Sequence, residues 1–305
     1  MTQTRPTAQP APAPGPDAGP SPELAAEVAL VARAVDGDRA ALEQVVRGLQ
    51  DPLYRLALRM AWRPADAEDA TQEILIKVIT RLATWRAEAR LLTWAYRIGV
   101  TYLLGLRRRS GPEAAGLTLD VFGEKLLEGL AEADYEGPEA RLLSEEVRLS
   151  CSQAVLQCLA REERVAYVLG EVFELPGAEA AWILDTTPAT YRKRLERARR
   201  RIRAFMGASC GIVNPAAACR CARRVDTAVR SGRLDPRRPA LATHPVSPGG
   251  RDVAAAREVV AAATQLRRLH QAAAVLQAHP DYAAPQARTD AVLALLNSGR
   301  YPLVD

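Results

Sequence analysis

From near Leu24 to about Arg109 apolar residues return at spacings of three and four, with Leu42, Val45, Val46, Leu49, Leu53, Leu56, Leu58 and Met60 carrying the pattern. That spacing lines one side of a helix, so the stretch predicts amphipathic helices packed on one another. The pattern breaks at Asp36-Gly37-Asp38, around Arg63-Pro64, and around Arg86 to Arg90. A second helical block runs from about Arg141 to Met206. Beyond it come a cysteine-bearing loop, a Pro/Gly-rich stretch from Asp235 to Gly250, a long helix from about Asp252 to His279 and a short one near Arg288 to Leu296. No alternation long enough for a strand is present, and the fold class read from the pattern is all-α. Residues 1–22 hold seven prolines and nothing to build a core, which predicts a disordered tail. Residues 110–140 carry Gly111-Pro112, Gly137-Pro138 and scattered acids, which predicts a linker with a short helix near Asp120 to Leu130.

Composition narrows the picture only slightly. The chain has 305 residues, room for two or three small domains, and aromatics make up 5%, so its cores rest on Leu, Val, Ile and Ala. The net charge of +5 is mildly basic and its placement matters more than its size. No segment approaches the roughly 18 apolar residues of a membrane span, and the N-terminus lacks a signal-peptide hydrophobic run. A cytoplasmic protein with reduced cysteines is expected. No Gly-rich phosphate loop and no H-E-x-x-H is present, and all three histidines follow residue 240, so an enzyme is not expected.

The charge concentrates in one place. In the stretch Thr187 to Phe205, Tyr191, Leu195, Ala198, Ile202 and Phe205 form one apolar stripe. The other positions hold Arg192, Lys193, Arg194, Arg197, Arg199, Arg200, Arg201 and Arg203 against Glu196 alone. Like charges at that density repel, and a polyphosphate partner relieves them with counterion release. The preceding segment Gly177 to Thr187 predicts a short helix and a tight turn. Thr186 or Thr187 can cap the next helix, and Pro188 suits its first turn. Helix, turn and basic helix make a helix-turn-helix, whose second helix enters the major groove with Thr190, Arg192 and Arg194 near base edges or phosphates.

With those residues in view, Leu159 to Phe205 resembles domain four of the extracytoplasmic-function group of bacterial sigma factors. Asp66 to Leu82 resembles their domain two, and Leu91 to Gly99 matches the helix that follows it. The resemblance covers roughly residues 24–206 and gives a division into a tail (1–22), domain two (23–109), a linker (110–140), domain four (141–206) and a helical C-terminal extension (207–305). It implies core RNA polymerase and promoter DNA as partners. It makes the polar face of Asp66, Asp69, Gln72 and Glu73 the dock for core polymerase. It gives Pro188, Thr190, Arg192, Lys193, Arg194, Arg197 and Arg199 to the upstream promoter element. It gives the loop with Arg86 and Arg90, the helix with Arg97, and Arg107 and Arg108 to the downstream element, where strand opening flips a base out of the stack. Two positions depart from the family pattern, Thr101 where an Asn is usual and Gly105 where an Asp is usual, and Gly in a helix interior costs about 1 kcal/mol. These departures keep open a second reading, a helix-turn-helix regulator without productive polymerase engagement.

The extension adds its own chemistry. Cys210, Cys219 and Cys221 follow a C-x8-C-x-C spacing that can hold zinc with a fourth ligand, His270 first and His244 or His279 next. The same thiols could instead respond to oxidation or carry no role. Cys151 and Cys158, seven apart on one predicted helix, read as core residues. The Ala-rich helix around Val260 and Leu266 has an apolar side to bury. It is expected to pack back on domain two or four and regulate it, in place of, or beside, a separate anti-sigma protein.

Overall fold

A computed structural model describes residues 21–106, 110–137, 139–265 and 271–298. Arg107, Arg108 and His270 lie outside the described residues.

Local signals start the helices where the sequence places them. Ser21 caps α1 (Pro22–Val35) by accepting from Leu24 N at 3.3 Å. Gly37, at φ +93°, turns the chain, and Asp38 caps α2 (Arg39–Met60) by accepting from the N–H groups of Ala40 and Ala41. Pro64 opens α3 (Pro64–Ile79) at a position where its missing N–H costs nothing. After a loop comes α4 (Leu91–Gly105). Helices α1, α3 and α4 pack on α2, which buries Leu42, Val45, Val46, Leu49, Leu53, Leu56 and Leu58. Gly105 is the last residue of α4, so it carries no helix-interior penalty, contrary to the sequence expectation.

The predicted linker is folded onto its neighbours. Its helices are α5 (Gly111–Ala114) and α6 (Leu119–Leu127), the second starting and ending close to the expected helix. Phe122 stacks on Phe205 at 5.6 Å, and Leu119 and Leu126 are buried. Gly111 holds φ +54°, and a Cβ there would stand 2.3 Å from the Trp62 ring, so only glycine fits.

The second helical block forms α7 (Ala140–Gln157), α8 (Arg161–Tyr167), α9 (Gly177–Ile183) and α10 (Pro188–Ser209). It leans on the first through polar caps. The last carbonyls of α2 lack partners within their own helix. Gln157 Nε2 reaches Met60 O at 3.1 Å and Ala61 O at 2.9 Å, Gln153 Nε2 takes Leu58 O, and Arg164 Nη1 donates to Met60 O at 2.9 Å. Arg164 is fully buried, with further bonds to Leu156 O, Gln157 O and Leu159 O and an ion pair with Glu113 of α5.

The extension supplies α11 (Cys221–Arg230), α12 (Val253–Gln265), α13 (Gln271–Gln277) and α14 (Gln286–Asn297). Helix α11 was not expected. It packs on α7, where Val225 joins Leu143, Val147 and Leu234 in a small separate core. The long helix expected from Asp252 to His279 corresponds to α12 and α13, with residues 266–270 between them outside the description. Among the described residues no strand forms, only isolated bridges at Cys210–Cys219 and Val246–Tyr282.

The extension grips both blocks. Buried Glu146 of α7 accepts the consecutive N–H groups of Ala240, Leu241 and Ala242 at 3.1, 2.9 and 2.6 Å. Arg148 of α7 donates to Ala278 O at 2.8 Å, and Ser152 Oγ meets His279 Nε2 at 2.6 Å. On α2, Asp51 accepts from Ser247 Oγ and Ala284 N, and Tyr54 stacks on His244 at 5.3 Å.

Candidate nucleic-acid interface

Helix α10 carries the expected stripe. Tyr191, Leu195, Ala198, Ile202 and Phe205 are all buried, which turns the basic side chains outward. Thr187 caps it by accepting from Thr190 N at 3.2 Å, Pro188 fills the first turn, and Asp185 in the turn before it holds φ +49°. The basic residues then fall into two groups. Arg197 and Arg201 pair with Glu163 of α8 at 3.1 and 2.8 Å, and Arg199 pairs with Glu171 at 2.5 Å. These pairs occupy Arg197 and Arg199, which the sequence assigned to DNA. Arg192, Lys193 and Arg194, one turn from the helix N-terminus, have no ion-pair partner among the described residues. Arg200 and Arg203, farther along the helix, are likewise exposed and without an ion pair among the described residues, so free positive charge runs along α10 and includes the end that a major groove would receive.

A second basic surface lies on the first block. An open pocket of about 370 Å³ is lined by Lys77, Arg81, Thr84, Trp94, Arg97, Ile98, Thr101 and Tyr102. Lys77 Nζ stands 5.5 Å over the Tyr102 ring. Aromatic faces beside cations suit an unstacked base. Trp94 is half-buried, packed against the core on one side and lining this pocket on the other. Thr101 lines the same pocket, its hydroxyl turned back to Arg97 O at 2.8 Å. In the adjoining loop Trp85 Nε1 donates to Ala89 O at 3.1 Å, Ala87 holds φ +57°, and Arg86 is exposed. Arg90 is tied to Glu23 and Glu27 of α1.

Arg97 is engaged elsewhere. It donates to Trp182 O at 2.9 Å, pairs with Asp185 at 2.7 Å and lies 4.7 Å over the Trp182 ring. Thr93 donates to Glu179 at 2.5 Å, and Tyr96 stacks on Phe173. The helix-turn-helix thus lies directly on α4.

The acidic face of α3 is partly engaged as well, with Asp69 still largely exposed. Asp66 accepts from Ser110 Oγ at 3.1 Å. Arg288 of α14 pairs with Asp69 at 3.1 Å and Glu68 at 3.2 Å and exchanges hydrogen bonds with Gln72 at 3.3 Å. Glu73 is exposed. Nothing in the spacing of the sequence pointed to Arg288, which sits 219 residues beyond Asp69.

The three cysteines of the extension share one cavity with a residue that read as plain core. Cys151 of α7 lines one cavity with Cys210, Cys219 and Cys221. Burial pushes the Cys151 thiol well up, and the Cys221, Cys210 and Cys219 thiols add to that shift. Burial and its Cys210 and Cys219 neighbours push Cys221 up to about 12. Cys158 lies outside this cavity, in the main core.

Comparison with known proteins gives this arrangement its class. The sigma-70 region 2 family matches residues 45–111, and the sigma-70 region 4 family matches residues 150–202. The chain is 31% identical over 179 residues to the RNA polymerase sigma-H factor of Pseudomonas aeruginosa, across 57% of this chain and 90% of that protein. It is 32% identical over 177 residues to the ECF RNA polymerase sigma-E factor of Escherichia coli K12, across 57% and 90%. It is 30% identical over 174 residues to the ECF RNA polymerase sigma factor SigE of Mycolicibacterium smegmatis, across 56% and 64%. Two helical blocks of this kind define a promoter-specificity subunit of bacterial RNA polymerase. The chain belongs to the ECF group of those sigma factors, directs polymerase to specific promoters, and takes part in transcription initiation. The regulator reading without polymerase is not favoured. Among the described residues no helix is long and apolar enough to cross a membrane. Residues beyond 202 lie outside both family matches.

Proposed function

We propose that this sigma factor is held closed by its own C-terminal extension, which does the work of a separate anti-sigma protein. The observation that carries the reading is Arg288 seated on Glu68, Asp69 and Gln72, the face that core polymerase would take. A guanidinium on that face repels a basic partner and fills the positions its charges would use. Two further contacts support it. Glu146 and Asp51 bind the same extension to domain four and domain two. The Arg97 contacts hold α9 over the helix beside the base-sized pocket. Opening frees α3 for polymerase and α4 for the melted downstream element, while Arg192, Lys193 and Arg194 read the upstream duplex. The protein works in the cytoplasm and is not an enzyme; the chemistry belongs to the polymerase.

The test is Arg288→Glu in the full chain, with affinity for core polymerase and run-off transcription as readouts. Replacing attraction by repulsion on a half-exposed pair network is expected to tighten core binding about tenfold. Unchanged affinity and unchanged transcript yield would remove α14 from the regulation.

A further inference from the structure

The largest piece of chemistry outside the sigma surfaces is the cavity of about 110 Å³ between α7, the end of α10 and α11. Four free thiols line it: Cys151 from α7, Cys210 directly after α10, and Cys219 and Cys221 from the extension. The backbone around them is tightly built. Cys210 and Cys219 pair as an isolated bridge, with Gly211 N donating to Cys219 O at 3.0 Å. A Cβ on Gly211 would stand 2.3 Å from that carbonyl, so the close approach of the two cysteine-bearing segments requires glycine. Asn214 N and Val213 N then close back on Cys210 O at 2.8 and 3.1 Å.

The charge around the cavity points to what is missing from it. Arg224 and Arg233 line it, and no carboxylate does. Arg224 is 5% exposed, and its partner is the Glu128 carbonyl, which it meets at 2.6 Å. A buried guanidinium without a counter-charge is costly. Four thiolates around one divalent cation carry a net charge of minus two, which would give buried Arg224 a counter-charge; Arg233 is exposed. The rest of the lining is largely apolar, including Phe122, Leu126, Phe205 and Ile212, which keeps water from competing for the ion.

We propose that Cys151, Cys210, Cys219 and Cys221 are the four ligands of a structural zinc-class divalent cation. Sulfur donors in a closed tetrahedral set suit zinc, with bonds of about 2.3 Å. Among the described residues no three His, Cys, Asp or Glu side chains stand close enough to hold an ion as they are, so binding requires the four thiols to move together within the cavity they share. Each thiol gives up its proton as its sulfur bonds, so one divalent ion enters and four protons leave. The fourth ligand then comes from domain four, and no histidine is needed. The site rivets the root of the extension to α7 and α10 and fixes the direction in which the extension leaves domain four.

The test uses the full chain purified with zinc present. Metal content by mass spectrometry should give one zinc per chain. Cobalt replacement should give the visible bands and intense sulfur-to-metal charge transfer of a tetrathiolate. Cys151→Ser should lose the stoichiometric metal and that charge-transfer intensity, with helix content followed by circular dichroism, while Cys158→Ser and His270→Ala keep both. If Cys151→Ser does not fold, the cobalt spectrum of the unaltered chain decides between four sulfurs and three sulfurs with a nitrogen. The proposal falls if the unaltered chain binds neither metal, if its four thiols are found paired as disulfides lighter by two hydrogens each, or if His270→Ala loses the metal while Cys151→Ser retains it. None of these readouts involves transcription, so their failure leaves the sigma assignment and the closed-state reading standing.

Discussion

The acidic face of α3 and the basic front of α10 are treated in opposite ways. On α3, Asp69 and Gln72 are taken by Arg288 and Asp66 by Ser110. On α10, Arg192, Lys193 and Arg194 have no ion-pair partner among the described residues. The first surface would meet a protein and the second a DNA duplex. On the closed-state proposal, closure would act on polymerase capture and on access to the melted strand, while the upstream-reading helix stays available. Such a protein can sample duplex DNA before it is competent to start transcription.

The sharpest way to break that contrast is to remove the free charges. Replacing Arg192, Lys193 and Arg194 together by alanine should reduce duplex binding and lower the slope of log affinity against log salt by about three. Anisotropy of a labelled promoter duplex at several salt concentrations, without polymerase, measures it; an unchanged slope would place the contact elsewhere on the chain.

Next in size is the anchor of the extension. Glu146→Ala leaves the N–H groups of Ala240, Leu241 and Ala242 without their acceptor. The expected loss of docking is on the order of 3 kcal/mol, or about a hundredfold faster cutting of residues 236–250 in limited proteolysis. Equal cutting rates would mean that the extension is held by its other contacts alone.

Acidity should act on the same clasp more gently. Burial, with Arg59, Arg148 and Arg251 facing it, holds His279 well below the ordinary 6.5, and burial also lowers His244. Ser152 and Tyr282 are the other polar neighbours of the His279 ring. A lowered imidazole stabilises the docked form fully above about pH 6.5 and loses that contribution as pH falls, at about 1.4 kcal/mol per unit for each ring. Hydrogen exchange across residues 240–284 at pH 7.5 and 5.5 should show faster opening at the lower value. No difference would mean that the two rings are already hydrated. The smallest effect is expected at the strained loop, where Ala87→Gly removes a left-handed alanine and should add up to about 1 kcal/mol to domain two, read as a small rise in melting temperature.

Much of this fold was legible because local rules govern it. The stripe from Tyr191 to Phe205 is a periodicity, and the starts of α2, α3 and α10 follow from Asp38, Pro64 and Thr187-Pro188. What escaped depends on contacts distant in sequence. Helix α11 is short and rich in arginine, has no side-chain cap, and gains its stability from Leu143, Val147 and Leu234. Arg164 is a charged residue with no sequence signal for burial, yet it is fully buried, with the open carbonyls at the end of α2 among its acceptors. Cys151 reads as core because its three thiol neighbours lie at least 59 positions away. The pairing of Arg197 and Arg199 with acids of α8 and the turn after it likewise needs the third dimension. The candidate surfaces were visible in outline, and their occupation was not.

The folded linker has a mechanical consequence. Within the linker, α5 and α6 are pinned by Glu113 and Phe122. Pulled straight, thirty residues reach about 100 Å, whereas the nine residues of α6 span about 14 Å as a helix. The linker is thus a reel of slack. Once Phe122 leaves Phe205 and the Gln157, Arg164 and Arg97 contacts between the blocks open, it would let out enough chain for the two promoter-reading halves to sit at sites far apart on one DNA molecule while remaining a single subunit.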